Sequence, residues 1–306
     1  MLKISGTFCA ALTPLNEDYS INKDLFLDHC SRLLLQNLDG LGIFGTTGEA
    51  NSFNLNQKID AINFLINNNI DPKKLIIGTG LCSINDTVSF TKNISNLNIK
   101  AVLVLPPFYY KDVSNEGVIE FYKRVIEEVG DNELKYILYH FPKLSGVPIN
   151  FEIIEKLLKL FPQNVVGIKD ASADIDFMLK IIKYFGDFAV FSGSDSLALK
   201  ICKQGGAGAI TATSNISGKL LSFIYNNYQN EGEIENFQNL QVKIRDVLPN
   251  NELISTLKAY MSVTSKNSEW NRVNPPLKKI QNPENNKTVI SLIELTKKMD
   301  ELLSNT

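Results

Sequence analysis

The sequence predicts an α/β protein: a (β/α)8 TIM barrel of eight parallel strands and their helices, followed by a C-terminal appendage of three helices. Short runs of β-branched and apolar residues alternate with longer segments of helical periodicity, which is the pattern of a parallel sheet. Eight such runs occur, and eight is the number at which a sheet of this kind closes on itself. Beyond residue 228 the periodicity is helical only.

The eight predicted strands follow one another through the first 211 residues. They are Thr7–Leu12, Gly40–Phe44, Leu75–Gly78, Ala101–Leu105, Tyr136–Tyr139, Val165–Lys169, Ala189–Ser192 and Gly208–Thr211. Between them, Gly117–Val129 and Phe151–Leu160 repeat apolar side chains at helical spacing, which predicts helices there. We therefore expect the catalytic barrel to span residues 1–228.

The remaining chain predicts helices and no strand. The predicted helices are Gly218–Tyr228, which completes the barrel, and then Glu233–Val247, Glu252–Val263 and Lys287–Leu303. Pro275 and Pro276 interrupt the pattern before the last helix, because two successive prolines cannot lie in a helix interior. We expect a helical appendage over residues 229–306.

Composition excludes several classes of function. The formal net charge is −2 with both signs well mixed, which argues against nucleic acid as a partner. The four cysteines are widely spaced and form no CxxC pair, so we expect reduced thiols and no zinc site. No apolar stretch is long enough to span a bilayer, and Ser5, Gly6 and Thr7 interrupt any signal-peptide core. We expect a soluble cytoplasmic protein without a membrane partner.

Lys169 ends the apolar run Val165–Lys169, where a charge needs an explanation. Desolvating an ammonium group without a partner is costly, so we expect Lys169 at the end of its strand, where a pocket can begin. A lysine in such a place can attack a carbonyl carbon and form a Schiff base. The alternative is a lysine that only ends the strand and extends to water.

The segment Gly45–Glu49 follows the second strand and carries two adjacent hydroxyl side chains, Thr46 and Thr47. Such a loop can direct hydroxyl and backbone N–H groups at a carboxylate, which suits a 2-oxo acid. The alternative is an ordinary helix-start turn in which Thr47 is the N-cap.

Tyr139 closes the fifth strand, and a phenol at that position can transfer a proton to and from a bound intermediate. A threonine hydroxyl and a second tyrosine, Tyr109 or Tyr110, could extend the relay. The alternative for each tyrosine is a half-buried aromatic ring whose hydroxyl group faces water.

Metal and nucleotide sites are poorly supported. Only two histidines occur, and Asp170 and Asp195 lie beyond strands six and seven without the clustering that a metal ion needs. The glycines of segment 205–208 lack the context of a nucleotide fingerprint, so we predict that they let strands approach closely. We predict neither a metal nor a cofactor.

Five motifs together resemble those of the dihydrodipicolinate synthase and N-acetylneuraminate lyase family of class I pyruvate-dependent aldolases. The motifs match those of the family in order and spacing. The resemblance covers the barrel and the helical tail, which is nearly the whole chain. The motifs are Gly45–Glu49, Tyr109–Tyr110 after a Pro-Pro pair, Tyr139–Pro142, Gly167–Asp170 and Phe191–Asp195.

The resemblance implies a role for each candidate residue. Lys169 would form a Schiff base with pyruvate, and Tyr139 would transfer protons with Thr46 and Tyr110 as its relay. Thr47 would hold the substrate carboxylate. The resemblance also implies a homo-oligomer, a dimer of tight dimers, in which Tyr110 reaches a neighbouring subunit's site. The implied substrate-binding positions beyond the loop of Thr47 are Gly193, Asp195 and Ile210.

Departures from the family pattern leave the substrate open. Leu144 stands where dihydrodipicolinate synthases carry an arginine for the second substrate, and a leucine cannot pair with a carboxylate. The segment 144–147 looks more like sialate lyases and sugar-acid aldolases, yet Ser196 stands where sialate lyases show an acidic residue. His140 replaces the usual asparagine.

The resemblance therefore predicts a Schiff-base lyase that joins or splits pyruvate, or another 2-oxo acid, and an aldehyde. A 2-keto-3-deoxy sugar acid is one candidate for the compound that is made or split. One alternative is a 4-hydroxy-tetrahydrodipicolinate synthase of lysine biosynthesis, which uses pyruvate and aspartate semialdehyde. The other is a barrel that binds a 2-oxo acid without turning it over.

Overall fold

The computed structural model describes residues 4–230 and 232–305, and its centre is a closed barrel of parallel strands. Each strand pairs with the next in sequence, and the eighth pairs with the first. The predicted fold class is confirmed, and no strand bound differs from its prediction by more than two residues. The strands are β1 Gly6–Ala10, β2 Gly40–Ile43, β3 Leu75–Gly78, β4 Ala101–Val104, β5 Tyr136–His140, β6 Val165–Asp170, β7 Ala189–Ser192 and β8 Gly208–Thr211.

Helices follow the strands around the barrel and continue beyond it. Within the described residues these are α1 Lys23–Leu34, α2 Leu55–Asn67, α3 Ile84–Ser95, α4 Asn115–Val129, α5 Pro142–Ser145, α6 Phe151–Leu160, α7 Ile175–Phe185, α8 Ala198–Lys203, α9 Ser214–Asn227, α10 Ile234–Val247, α11 Leu253–Ser265 and α12 Lys287–Ser304. None of them is long and apolar enough to cross a membrane.

Polar residues at the N-caps start many of these helices. The side chain at each such position accepts a hydrogen bond from a backbone N–H of the first turn, which would otherwise lack a partner. Because the caps fix where the helices begin, they also fix which loop residues remain free to face a pocket. The capping residues of α2, α3, α4, α6 and α7 are Asn54, Ser83, Ser114, Asn150 and Asp174.

The barrel closes where β1 and β8 pair and Gly6 lies opposite Gly208. Gly208 has a φ of +131°, and a Cβ atom on it would collide with the carbonyl oxygen of Gly6. Only glycine combines that backbone conformation with that approach. The prediction that the glycines of segment 205–208 allow close strand contact is confirmed for Gly208.

The last three helices pack against α9 and share a hydrophobic cluster with it. This cluster includes the buried side chains of Ile224, Phe237, Leu257 and Leu292. The predicted boundary after residue 228 falls between α9 and α10 and stays a prediction, and its outer limits, residues 1–3 and 306, lie outside the described chain. The loop between α10 and α11 reaches over the barrel.

Candidate active site

A cavity of about 560 Å³ opens at the carboxyl ends of the strands, which is where barrels of this architecture carry their catalytic groups. Seven of the eight candidate residues line it, from the loops and ends of five strands and from the segments that follow them. These residues are Thr46, Thr47, Tyr139, Lys169, Gly193, Asp195 and Ile210.

Lys169 lies on β6 between Tyr139 of β5 and Phe191 of β7. It is 5% exposed, and its Nζ atom lies 4.5 Å from the centroid of the Tyr139 ring. The face of an aromatic ring attracts a cation, so the ring helps to hold the amine inside the cavity. The side chain therefore does not extend to bulk water. A lysine that only ended the strand would do so.

Tyr139 is also buried, and its hydroxyl group lies 3.2 Å from Oγ1 of Thr46. This contact joins the end of β5 to the loop after β2 beside the amine of Lys169. Thr47 follows in the same loop and is buried at the cavity wall. Because Asn54 caps α2, Thr47 does not serve as the N-cap of that helix.

A buried ion pair holds the far end of this loop. Glu49 contacts Nζ of Lys258 on α11, and its Oε2 atom accepts a hydrogen bond of 2.7 Å from the backbone N–H of Asn274. Lys258 also donates a hydrogen bond of 2.9 Å to the carbonyl oxygen of Arg272. Burial lowers the pKa of Lys258, and the carboxylate of Glu49 opposes that shift. The appendage thus fixes the loop that carries Thr46 and Thr47.

Gly193, Asp195 and Ile210 form the wall on the side of β7 and β8. The N–H of Gly193 donates a hydrogen bond of 2.6 Å to the carbonyl oxygen of Asp170, and a Cβ atom on Gly193 would lie 2.6 Å from that oxygen. Only glycine fits this approach. Burial raises the pKa of Asp195, while hydroxyl groups of Thr211 and Thr213 oppose the shift.

A buried pair, His140 at the end of β5 and Asp170 at the end of β6, follows Tyr139 and Lys169 in these two strands. Nδ1 of His140 accepts a hydrogen bond of 2.9 Å from Ile149, and Nε2 lies 3.7 Å from Oδ2 of Asp170. Burial lowers the pKa of His140 to about 4 and raises the pKa of Asp170 to about 6. At neutral pH the imidazole is therefore uncharged, and its proton lies on the nitrogen that faces Asp170.

The structure does not bring Tyr110 to this cavity. The residue lies in the loop after β4, is 73% exposed and packs edge-on against Tyr109. The predicted relay through Tyr110 is thus not assembled within one chain.

No sequence pattern indicated that the appendage lines the cavity. Arg245 at the end of α10 does so, together with Asn250 and Asn251 of the following loop. No local pattern reveals this, because the contact depends on how α10 packs on the barrel. In the part of the chain that the structure describes, no group of three or more His, Cys, Asp and Glu residues could hold a metal ion.

Comparisons with known proteins identify the family of this chain and similar structures. A model of the dihydrodipicolinate synthetase family matches residues 3–294. The 4-hydroxy-tetrahydrodipicolinate synthase of Listeria welshimeri is 35% identical over 221 residues, which is 71% of this chain and 73% of the relative. An N-acetylneuraminate lyase structure from Fusobacterium nucleatum is 26% identical with a TM-score of 0.84, over 96% of this chain and 98% of the other.

A more distant structure shares the fold. It is a variant of the 2-keto-3-deoxygluconate aldolase of Sulfolobus solfataricus, 19% identical, with a TM-score of 0.86 over 97% of this chain and 98% of that one.

Proposed function

Because the chain belongs to the dihydrodipicolinate synthetase family, whose members are lyases of the Schiff-base aldolase type, we propose that Lys169 forms a Schiff base with pyruvate or another 2-oxo acid. The observation that carries the proposal is the buried amine of Lys169 beside Tyr139 and Thr46, in a cavity at the carboxyl end of the barrel. Enzymes of this family bind the substrate covalently through lysine and need no cofactor.

The proposed reaction begins when the amine attacks the keto carbon and water leaves. The protonated imine then withdraws electrons, so that a proton can leave the neighbouring carbon and an enamine forms. The enamine attacks an aldehyde carbon and makes the new carbon–carbon bond, and hydrolysis of the imine frees Lys169 and the product. The reverse sequence splits the product.

Each wall of the cavity has a proposed role in this sequence. Tyr139 carries protons to and from the intermediate, and its contact with Thr46 orients the phenol. Thr47 holds the carboxylate of the 2-oxo acid, and the backbone at Gly193 and Ile210 closes the pocket around it. Asp195 borders the space for the acceptor.

We propose that the product is a 2-keto-3-deoxy sugar acid. Leu144 lines the cavity at the position where a synthase of the family would carry arginine, and it offers no partner to the carboxylate of aspartate semialdehyde. The competing function is 4-hydroxy-tetrahydrodipicolinate synthesis. It is favoured by the Listeria welshimeri relative of that name, and turnover of aspartate semialdehyde by the unchanged protein would support it.

Trapping with borohydride tests the proposal. The protein is incubated with pyruvate and sodium borohydride, and the reduced adduct is mapped by mass spectrometry. We expect the adduct on Lys169, while Lys143, which lines the same cavity but is exposed, serves as the internal control. An adduct elsewhere, or none, contradicts the proposal. If pyruvate is trapped but no aldehyde of a broad panel reacts, the protein binds the 2-oxo acid without turnover.

We further propose a cytoplasmic homo-oligomer built from tight dimers. Enzymes of this family are usually cytoplasmic, and Cys9, Cys30, Cys82 and Cys202 are unpaired. The exposure of Tyr110 supports the oligomer, because a relay residue outside its own cavity is available to a neighbouring one.

A further inference from the structure

Arg245 lies in the last turn of α10 and lines the same cavity as Lys169. Its Nη1 atom donates a hydrogen bond of 3.1 Å to the carbonyl oxygen of Leu248, and its Nη2 atom donates one of 2.5 Å to Oδ1 of Asn250. Both partners belong to the segment between α10 and α11. The two bonds hold the guanidinium group in one orientation at the cavity wall.

Arg245 has no salt-bridge partner among the described residues, but its charge acts on the buried carboxyl group of Asp195. The guanidinium group forms no ion pair within residues 4–230 and 232–305, and the two bonds above use two of its five N–H donors. Its positive charge opposes the rise in the pKa of Asp195, so its field extends into the cavity. Leu144, elsewhere on the cavity wall, offers no charge.

We infer that Arg245 binds an anionic group, a carboxylate or a phosphate, at the far end of the acceptor aldehyde. This inference rests on the proposed function, in which the 2-oxo acid occupies the region of Lys169 and Thr47. The remaining donors of the guanidinium fork suit an oxyanion, which can accept two parallel hydrogen bonds. Arg245 therefore selects the acceptor and takes no part in forming the Schiff base.

Matched acceptors test the inference. The protein is assayed with pyruvate and glyceraldehyde 3-phosphate against glyceraldehyde, and with succinic semialdehyde against butanal. We expect the unchanged protein to prefer at least one charged member, and Arg245→Met to lower kcat/KM for that member about tenfold to a hundredfold more than for its neutral partner. The two pairs distinguish phosphate from carboxylate.

Two control substitutions separate Arg245 from other cations. Lys243→Met removes a charge from the exposed side of α10, away from the cavity, and should leave the preference unchanged. Lys143→Met removes the exposed cation at the cavity wall. Arg245→Lys keeps the charge without the guanidinium fork and should retain part of the preference for the charged aldehyde.

Ionic strength provides a test on the unchanged protein. The preference for the charged aldehyde should fall as ionic strength rises, and this result does not depend on the folding of any variant.

The outcomes distinguish this inference from the proposed function. Without a pyruvate adduct on Lys169 in the unchanged protein, the proposed function fails. If the adduct forms but neutral aldehydes are preferred, the inference about Arg245 is overturned. It is equally overturned if Arg245→Met affects both members of a pair alike, or if only Lys143→Met removes the preference.

Discussion

At the scale of single residues, the contact between Tyr139 and Thr46 leads to a prediction about the rate of proton transfer. The hydroxyl group of Tyr139 lies 3.2 Å from Oγ1 of Thr46, beside the amine of Lys169. Tyr139→Phe keeps the ring but removes the hydroxyl group that we propose transfers the proton. We expect the exchange of the methyl protons of pyruvate in D₂O, followed by NMR, to slow about 10²-fold to 10⁴-fold.

Thr46 provides the matched comparison for this prediction. Thr46→Val preserves the shape of the side chain and removes the hydroxyl group, whereas Thr46→Ser keeps it. We expect Thr46→Val, but not Thr46→Ser, to slow the exchange. Its effect should nearly vanish in the Tyr139→Phe background, because Thr46 acts through the phenol. Independent effects in the double variant would contradict the relay.

The second prediction at this scale concerns the pH dependence of stability. Burial raises the pKa of Asp170 from 3.8 to about 6, so this group makes the fold less stable as pH rises through that window. Burial lowers the pKa of His140 from 6.5 to about 4, so this group makes the fold more stable as pH rises through a similar window. The contributions of the two groups to the pH dependence of the free energy of unfolding therefore largely cancel.

Replacing either residue should leave the pH dependence of the free energy of unfolding that is due to the other. Between about pH 4 and 6.5, the free energy of unfolding of His140→Asn should fall by about 3 kcal/mol relative to the unchanged protein. Asp170→Asn should show a relative change of the opposite sign. Urea unfolding at several pH values measures both, and parallel pH profiles for all three proteins would refute the prediction.

At the scale of elements, the appendage controls the geometry of the loop after β2. Glu49 has a φ of +54°, an unusual conformation for a residue with a side chain, and its carboxylate is bound by Lys258 and by the backbone of Asn274. Removing one member of a buried ion pair leaves the other charge unpaired. We expect Lys258→Met to lower the free energy of unfolding by about 3–5 kcal/mol.

An exposed pair on the same protein serves as the control. Lys219 contacts Asp300 at 3.3 Å, and its side chain is 53% exposed, so Lys219→Met should cost less than about 1 kcal/mol. Adding Glu49→Gln to Lys258→Met should restore part of the lost stability, because it removes the unpaired charge. Equal losses for Lys258→Met and Lys219→Met in urea unfolding would contradict the role given to the buried pair.

The order of the elements was accessible from the sequence because local patterns specify it. Strands of a closed parallel barrel are buried on both faces, so each appears as a short apolar run, and β3, β7 and β8 have the predicted bounds. The helix α9 begins at Ser214, four residues before the predicted Gly218. Its first turn consists of poor helix formers, and tertiary contacts hold it instead: Asn215 bonds to Ala10 and Leu12 of the barrel.

The candidate site could be predicted from the sequence only in part, for a related reason. Residues at strand ends, such as Thr47 and Lys169, were predictable because a parallel barrel brings all carboxyl ends together. Arg245 follows the last strand by more than thirty residues, and only the packing of α10 brings it to the cavity. The burial of the pair Glu49 and Lys258 depends in the same way on the packing of α11.

At the scale of the whole molecule, an exposed apolar surface surrounds Tyr110. Its members are Tyr109, Tyr110, Val113 and Leu144, each at least 43% exposed. Lys111 donates a hydrogen bond of 2.8 Å to the carbonyl oxygen of Ser145, which joins the loop after β4 to α5 and steadies this surface. Exposed apolar side chains of this kind favour contact with a second copy of the chain, as the proposed oligomer requires.

Mixed oligomers test whether Tyr110 serves a neighbouring site. Lys169→Ala and Tyr110→Phe should each be nearly inactive in pyruvate proton exchange. After subunit exchange, verified by native mass spectrometry, a Tyr110→Phe subunit with its own Lys169 would receive Tyr110 from the Lys169→Ala subunit. If subunits pair at random in dimers, about a quarter of the sites should recover. Mixing Lys169→Ala with Tyr139→Phe should restore nothing, because those two residues meet within one chain. Recovery in neither mixture would mean that Tyr110 does not act across the interface.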